Sequence, residues 1–419
     1  MSAETREAVA RVARLSYGRL VAVLASRSRD IAEAEDALSE ALARALERWP
    51  IEGVPDNPEG WIVTTAGRLQ IDRVRSARVI DRTRDEVATL QEGRADRFIE
   101  SAEGGDDLLK LLFVCAHPAI AARDRTPLML QSVLGLDARR LSSAFLTAPG
   151  TLGQRLTRAK AKIRAAGIAF QIPPPCEYPT RVACVLDAIY VAYTLGWNDA
   201  CGDDVKTGAL ASEAIWLGSQ LAELLPDDGE THGLLALMLF CESRRVARRD
   251  PEGEEFVALV DQDVGRWNVT MMDDAETALR NGGRLCAAAP GRYQLEAAIQ
   301  AVHAARRTSG VTDWHAIALL YEGLLRIAPT VGARTAAAVA LSESGRPEAA
   351  LSALEAIEEN ARRSYQPWWV AMGHVMARLS RPGPARARFS TAAGLTEDPA
   401  VRAHLLARAA DPKGAISDR

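Results

Sequence analysis

The side chains of this 419-residue chain best suited to a chemical task are the cations of Arg155, Arg158, Lys160, Lys162 and Arg164. They occupy the stretch 149–168, which holds no acidic residue, in a chain whose formal net charge is −4. Cations at that density neutralise phosphates, and arginine, lysine or glutamine can also meet base edges in a major groove. Leu152, Leu156, Ala159 and Ile163 recur at helical spacing, which predicts one apolar stripe. Gln154, Thr157 and Arg158 point away from it, with Arg155, Lys160, Lys162 and Arg164 on its flanks. Residues 136–164 as a whole predict two short helices around a tight turn. Asp137 suits the cap of the first and Pro149 the opening of the second. A local basic helix placed second in a helix-turn-helix points to DNA. Thr151, Gln154, Arg155, Arg158, Lys160 and Lys162 are its candidate contacts.

A second pair of helices is predicted nearer the N-terminus. In AEDALSEAL, Asp36 and Glu40 lie four apart and share a helical face, a surface for docking a basic partner. NPEGWIVTTAGRLQIDRVRSARVIDR follows, with Arg68, Arg73, Arg75, Arg78 and Arg82 against only Asp72 and Asp81 in its basic half. Arginines spread along a helix neutralise successive phosphates without reading sequence. Trp61 could stack on a displaced base, although a buried core tryptophan is the expectation at that position.

Other chemistry is poorly supported. The six cysteines are scattered, with no CxxC pair, and Cys115 and His117, two apart, point to different helical faces. His232, Glu242, Asp261 and Asp263 supply polar groups but no nucleophile motif, phosphate loop or metal spacing. Neither catalysis nor a cofactor is expected. The N-terminus lacks the apolar core of a signal peptide, and no apolar run approaches a membrane span, so the expectation is a cytoplasmic protein without membrane contact. Hydrophobic residues at 48% with aromatics at 5% favour an all-α fold.

The elements that must position these residues predict six segments. A helical block covers 1–85, and an acidic linker with a glycine pair covers 86–107. A second compact helical unit, 108–168, ends in the basic helix, and a proline-rich linker follows at 169–182. A helical middle domain is expected over 183–290. GRPEAA at 345–350 and SRPGPA at 380–385 align at an offset of 35, and their Ala350, Leu354 and Ile357 match Ala385, Phe389 and Ala392. That small–large–small pattern predicts TPR-like helix pairs over 291–410, with Trp314, Tyr321 and Pro329 marking a degenerate copy.

AEDALSEAL, the arginine-bearing segment and the later basic helix, in that order, resemble the extracytoplasmic-function (ECF) sigma factors of bacterial RNA polymerase. NPEGW, DDLLKLLFVCAHPAI, AFLTAPGTLGQRLTRAKAKIRAAGI, LLALMLFCESRRVAR, LVDQDVGRW and GRYQLEAAIQAVHA resemble the subgroup with a long TPR-containing C-terminal extension. The resemblance implies a sigma factor with core RNA polymerase (β′ clamp and β flap) and promoter DNA as partners. It places Asp36 and Glu40 on polymerase, Arg68, Arg73, Arg75 and Arg78 at the −10 element, and 136–163 at the −35 element. It also implies an extension that regulates the sigma portion or binds a protein or peptide. Ala66-Gly67-Arg68 and Ser39 depart from common residues of the family, a difference that bears on promoter sequence. The alternative is a TPR scaffold whose sigma-like N-terminus no longer binds promoters.

Overall fold

The computed structural model describes residues 3–80, 105–145, 147–198, 205–285 and 289–412. As expected the fold is all-α: among these residues β pairing is confined to an isolated bridge between Arg249 and Phe256. The chain divides into two compact units, one of residues 1–197 and 204–220, the other of 198–203 and 221–419.

The first unit contains α1 (Ala3–Leu15), α2 (Tyr17–Ser28), α3 (Ile31–Glu52), α4 (Pro58–Ile80), α5 (Gly105–Cys115), α6 (Ala122–Leu134), α7 (Ala138–Ala144), α8 (Pro149–Ala165) and α9 (Tyr178–Asn198), with most of α10 (Val205–Leu224). Asp30 starts α3 by accepting from the amides of Ala32 and Glu33, two donors that a helix start leaves unpaired. The buried face of α3 is Ile31, Ala34, Ala37, Leu38, Ala41, Ala45 and Trp49. Its small side chains let α2 and α4 pack closely. The two halves of the unit meet where α2 lies on α5 and α6. At Gly18 a β-carbon would stand 1.8 Å from the carbonyl oxygen of Val133, so only glycine allows that approach.

Two expected boundaries move. α5 begins at Gly105, so Asp106 and Asp107 form a first helical turn rather than a linker. The partial positive charge at a helix start favours carboxylates there, and Lys110 pairs with Asp107 at 3.0 Å. The preceding part of the expected acidic linker, through residue 104, lies outside the described residues. Further on, α9 starts inside the expected proline-rich linker. Tyr178 stacks on buried Phe113 at 6.2 Å, which carries α9 into the first unit. The division between units falls within α10, at residue 220.

The second unit holds α11 (Gly229–Glu242), α12 (Val269–Leu285), α13 (Arg292–Ser309), α14 (Trp314–Ile327), α15 (Val331–Glu343), α16 (Pro347–Glu355), α17 (Glu359–Arg362), α18 (Gln366–Arg378), α19 (Pro382–Gly394) and α20 (Pro399–Ala410). The 35-residue offset is spatial as well as sequential. The α15–α16 hairpin recurs as α18–α19, Val331 corresponding to Gln366 and Pro347 to Pro382. Ala350, Leu354 and Ile357 are buried, and so are Ala385, Phe389 and Ala392. Turns repeat too: the amide of Arg346 donates to the Leu341 carbonyl, and that of Arg381 to Met376. Gly310, Gly345 and Ser380, each 35 apart, all have positive φ.

Candidate nucleic-acid interface

Between α3 and α4 lies a cleft of about 370 Å³ lined by Arg44, Glu47, Arg48, Trp61, Thr65 and Arg68. α4 is set by the Asn57 side chain, which accepts from the Gly60 amide at 2.9 Å, with Pro58 at its first position, where no donor is needed. One turn in, Trp61 meets Trp49 edge to face at 5.5 Å. Trp49 is buried, whereas Trp61 is partly exposed. The expectation of a fully buried Trp61 is corrected: its ring belongs half to the core and half to the cleft. Three guanidinium groups around an accessible indole suit a base stacked on the ring and phosphates on the arginines. Arg44 and Arg48 follow an acidic run, which masks them in the sequence. Their i,i+4 spacing on the same helix was the available signal.

The acidic candidates separate. Asp36 is exposed. Glu40 is gripped by Arg44 at 2.8 Å and by Arg73 at 2.9 Å, so Arg73 ties α4 to α3. These pairs are well exposed and hold little energy, which leaves both ends available to a competing partner. Arg68 is exposed at the cleft, while the side chains of Arg75 and Arg78 lie outside the described residues.

On α8, Leu152, Leu156, Ala159 and Ile163 are buried as the apolar stripe. Thr151, Gln154, Arg158 and Lys162 are exposed. Arg155 and Lys160 are not the solvent-facing contacts that the sequence suggested. The Arg155 Nε donates to Asp124 Oδ1 at 2.6 Å and its Nη2 to the Arg123 carbonyl at 3.0 Å. The side chain of Lys160 is 8% exposed, with Nζ 2.5 Å from Glu35 Oε2 and 2.7 Å from Gln131 Oε1. The physical reason is packing: the flanks of α8 rest on α6 and α3, and their carboxylates meet the cations there. Ser132 Oγ donates to the other Glu35 oxygen at 3.0 Å, and Arg164 reaches Asp30 at 3.0 Å. Burial, with Glu35 and Asp36 nearby, pushes the Tyr17 phenol well above its ordinary range. Burial likewise pushes up the Cys115 thiol.

Three of the remaining polar candidates have local partners. His232 Nε2 lies 3.0 Å from the Pro226 carbonyl, Glu242 pairs with Arg245, and Asp263 accepts from the Gly265 amide. Among the described residues no group of three or more His, Cys, Asp or Glu is arranged to hold a metal ion, and no helix is long and apolar enough to cross a membrane.

Comparison with known proteins adds matches to two family models and to curated relatives. Residues 13–79, which include α2, α3 and most of α4, match the model of sigma-70 region 2. Residues 181–282 match a family of unknown function, DUF6596. An uncharacterized protein of Rhizobium meliloti is 35% identical over 381 residues, covering 90% of this chain and 89% of that protein. The probable ECF RNA polymerase sigma factor SigI of Mycobacterium tuberculosis is 26% identical over 150 residues, 35% of this chain and 50% of its own length. No solved structure matches.

Proposed function

The chain belongs to the family of the Rhizobium meliloti protein, and we propose that it acts as an ECF-like sigma factor. In this reading it binds core RNA polymerase and directs promoter-specific initiation, without catalytic chemistry of its own. The observation that carries the reading is a coincidence of place: the stretch matching sigma-70 region 2 contains the cleft of Trp61, Arg44, Arg48 and Arg68. Asp36 and Glu40 on α3 dock on the β′ clamp. Arg68, Arg73, Arg75 and Arg78 hold the non-template strand of the −10 element while a base leaves the stack. Extruding a base costs a few kcal/mol, which stacking on Trp61 and phosphate contacts offset.

α7 and α8 act as the helix-turn-helix that reads the −35 element, held at the β flap. Thr151, Gln154, Arg158 and Lys162 are already exposed for that role, and Arg155 and Lys160 join them only when their carboxylate partners are released. The 35-residue helical hairpins act as a TPR-like extension that regulates the sigma portion or receives a protein or peptide. Co-purification with core polymerase followed by run-off transcription from mapped promoters tests the reading. Failure to associate with core polymerase under low-salt conditions overturns it.

A further inference from the structure

In the second unit the segment between α11 and α12 carries an unusual charge pattern. Residues 250–263, DPEGEEFVALVDQD, hold six acidic residues and no lysine or arginine. The segment has no α-helix, only a tight turn closed by the Asp250 side chain on the Glu255 amide and short 3-10 turns. It reaches from α13 to α20, although α14 to α19 lie between those helices in the chain. At one end Arg249 pairs with Asp398, which opens α20, at 2.9 Å, and Phe256 meets His404 edge to face at 5.3 Å. At the other end Arg306 of α13 donates to the Val260 carbonyl at 2.7 Å and to the Gln262 carbonyl at 2.9 Å. Such main-chain contacts hold an extended peptide whatever its sequence.

The helices beneath the segment are over-supplied with cations. Arg244 and Arg306 flank Trp267 at 5.9 and 5.2 Å. Burial and the neighbouring Arg244 lower the pKa of Arg306, and Asp261 opposes them. Burial likewise lowers Arg408 and His404, again against Asp261. Asp261 itself is exposed. Among the described residues, Nη1 of Arg244 and Nε and Nη2 of Arg408 are buried without a hydrogen-bond partner, although Arg244 as a whole is only 6% exposed. Buried donors of this kind are costly until an acceptor meets them.

We propose that α13 and α20, through Arg306, Arg408 and His404, form a receptor for an extended acidic peptide, and that residues 250–263 are its resident occupant, displaced when such a peptide arrives from a partner. α13, α15 and α18 each precede one of the turns spaced 35 apart, and α20 takes the same place after α19. Helical repeats use the surface that their stacked helices build for binding partners. The inference deepens the peptide-receiving role proposed for the extension and rests on that part of the reading alone. A tethered occupant competes at an effective concentration in the millimolar range, so it sets a threshold that only a peptide with more or better-placed carboxylates passes. The contacts that hold it suit release, because exposed charge pairs contribute little.

The test is fluorescence anisotropy of a labelled synthetic peptide with the sequence of residues 250–263, titrated with the full chain. Phe256→Ala combined with Asp261→Asn loosens the resident segment and leaves the receptor intact. That variant should bind the peptide at least about threefold tighter than the parent does. Adding Arg306→Gln should remove the gain, and a peptide with its six acids replaced by amides should not bind. Equal affinity of parent and double variant, no binding by either, or equal binding of the amide peptide overturns the proposal. Should the double variant not fold, Asp261→Asn alone, at an exposed carboxylate, decides by the same comparison. Should the Arg306 variant not fold, Arg408→Gln takes its place, and an undiminished gain overturns the receptor. No polymerase enters the experiment, so failure of the sigma-factor reading would show separately, as absence of polymerase binding.

Discussion

At the scale of single residues, Trp61 is the side chain whose role is easiest to isolate. Its ring borders the cleft while its edge contact with Trp49 anchors it, so Trp61→Leu keeps much of the packing and removes the stacking platform. Base–aromatic stacking amounts to about 1–3 kcal/mol per base. Binding of polymerase holoenzyme to a −10 single strand should therefore weaken roughly 5- to 150-fold, with a melting temperature near that of the parent. Arg68→Ala should act differently, lowering the slope of affinity against salt by about one phosphate contact. A titration series in salt separates the two. Ser380 offers a stability test that is independent of function. It occupies the left-handed region (φ 55) that Gly310 and Gly345 occupy at equivalent turns. A β-carbon there costs about 1–2 kcal/mol. Ser380→Gly should raise the urea midpoint by the equivalent of ~1 kcal/mol, and no change would mean that Ser380 gains local interactions of the same size.

At the scale of elements, legibility in the sequence tracked periodicity. The stripe Leu152–Leu156–Ala159–Ile163 and the matched pairs Ala350/Ala385 and Leu354/Phe389 are intrahelical patterns, and each is buried as the spacing requires. Lys160 was not legible. Its burial depends on a carboxylate 125 positions earlier in the chain, and a basic residue on a helical flank looks the same in sequence whether it meets water or Glu35. The cleft was partly legible: Arg68 and Trp61 stand out within one segment, but Arg44 and Arg48 join them only through the pairing of α3 with α4.

A pH effect belongs at this scale too. Trp267 lies between Arg244 and Arg306, their guanidinium carbons 5.9 and 5.2 Å from its ring. Beside them on α13, His303 packs edge to face on Trp314 at 5.3 Å. Burial, reinforced by the two arginines, lowers its pKa to about 4. The unfolded chain takes up a proton near pH 6.5 and the folded one near 4, so stability is lost as pH falls between those values. The loss should approach ~3 kcal/mol at the acid end. His303→Phe, which keeps an aromatic edge against Trp314, should flatten that dependence in denaturant titrations at pH 7, 5.5 and 4.5.

At the scale of the whole molecule, the position of the unit boundary decides how the sigma-like portion can be separated from its extension. Sequence composition points to the prolines at 173–175 as the natural cut, because three consecutive prolines end a helix. The packing argues against it. Beyond those prolines α9 lays Tyr178 on Phe113, and Val182, Val185, Leu186 and Ile189 are buried along the same helix. Arg125 and Thr126 of α6 hydrogen-bond the Cys184 thiol, whose pKa burial nonetheless raises. Burying an aliphatic or aromatic side chain contributes about 1.5–3 kcal/mol, and folded domains are stable by only about 5–15 kcal/mol. Removing α9 therefore takes away a large share of the margin and exposes Phe113. A fragment of residues 1–170 should melt well below one of residues 1–224, or fail to melt cooperatively, and the longer fragment should be the one that retains polymerase binding. Transcription by 1–224 compared with the full chain then isolates what the second unit does. Higher activity in the fragment would make the extension an inhibitor in cis, and lower activity an activator. Equal stability of the two fragments would place α9 outside the functional core and restore the proline segment as the boundary.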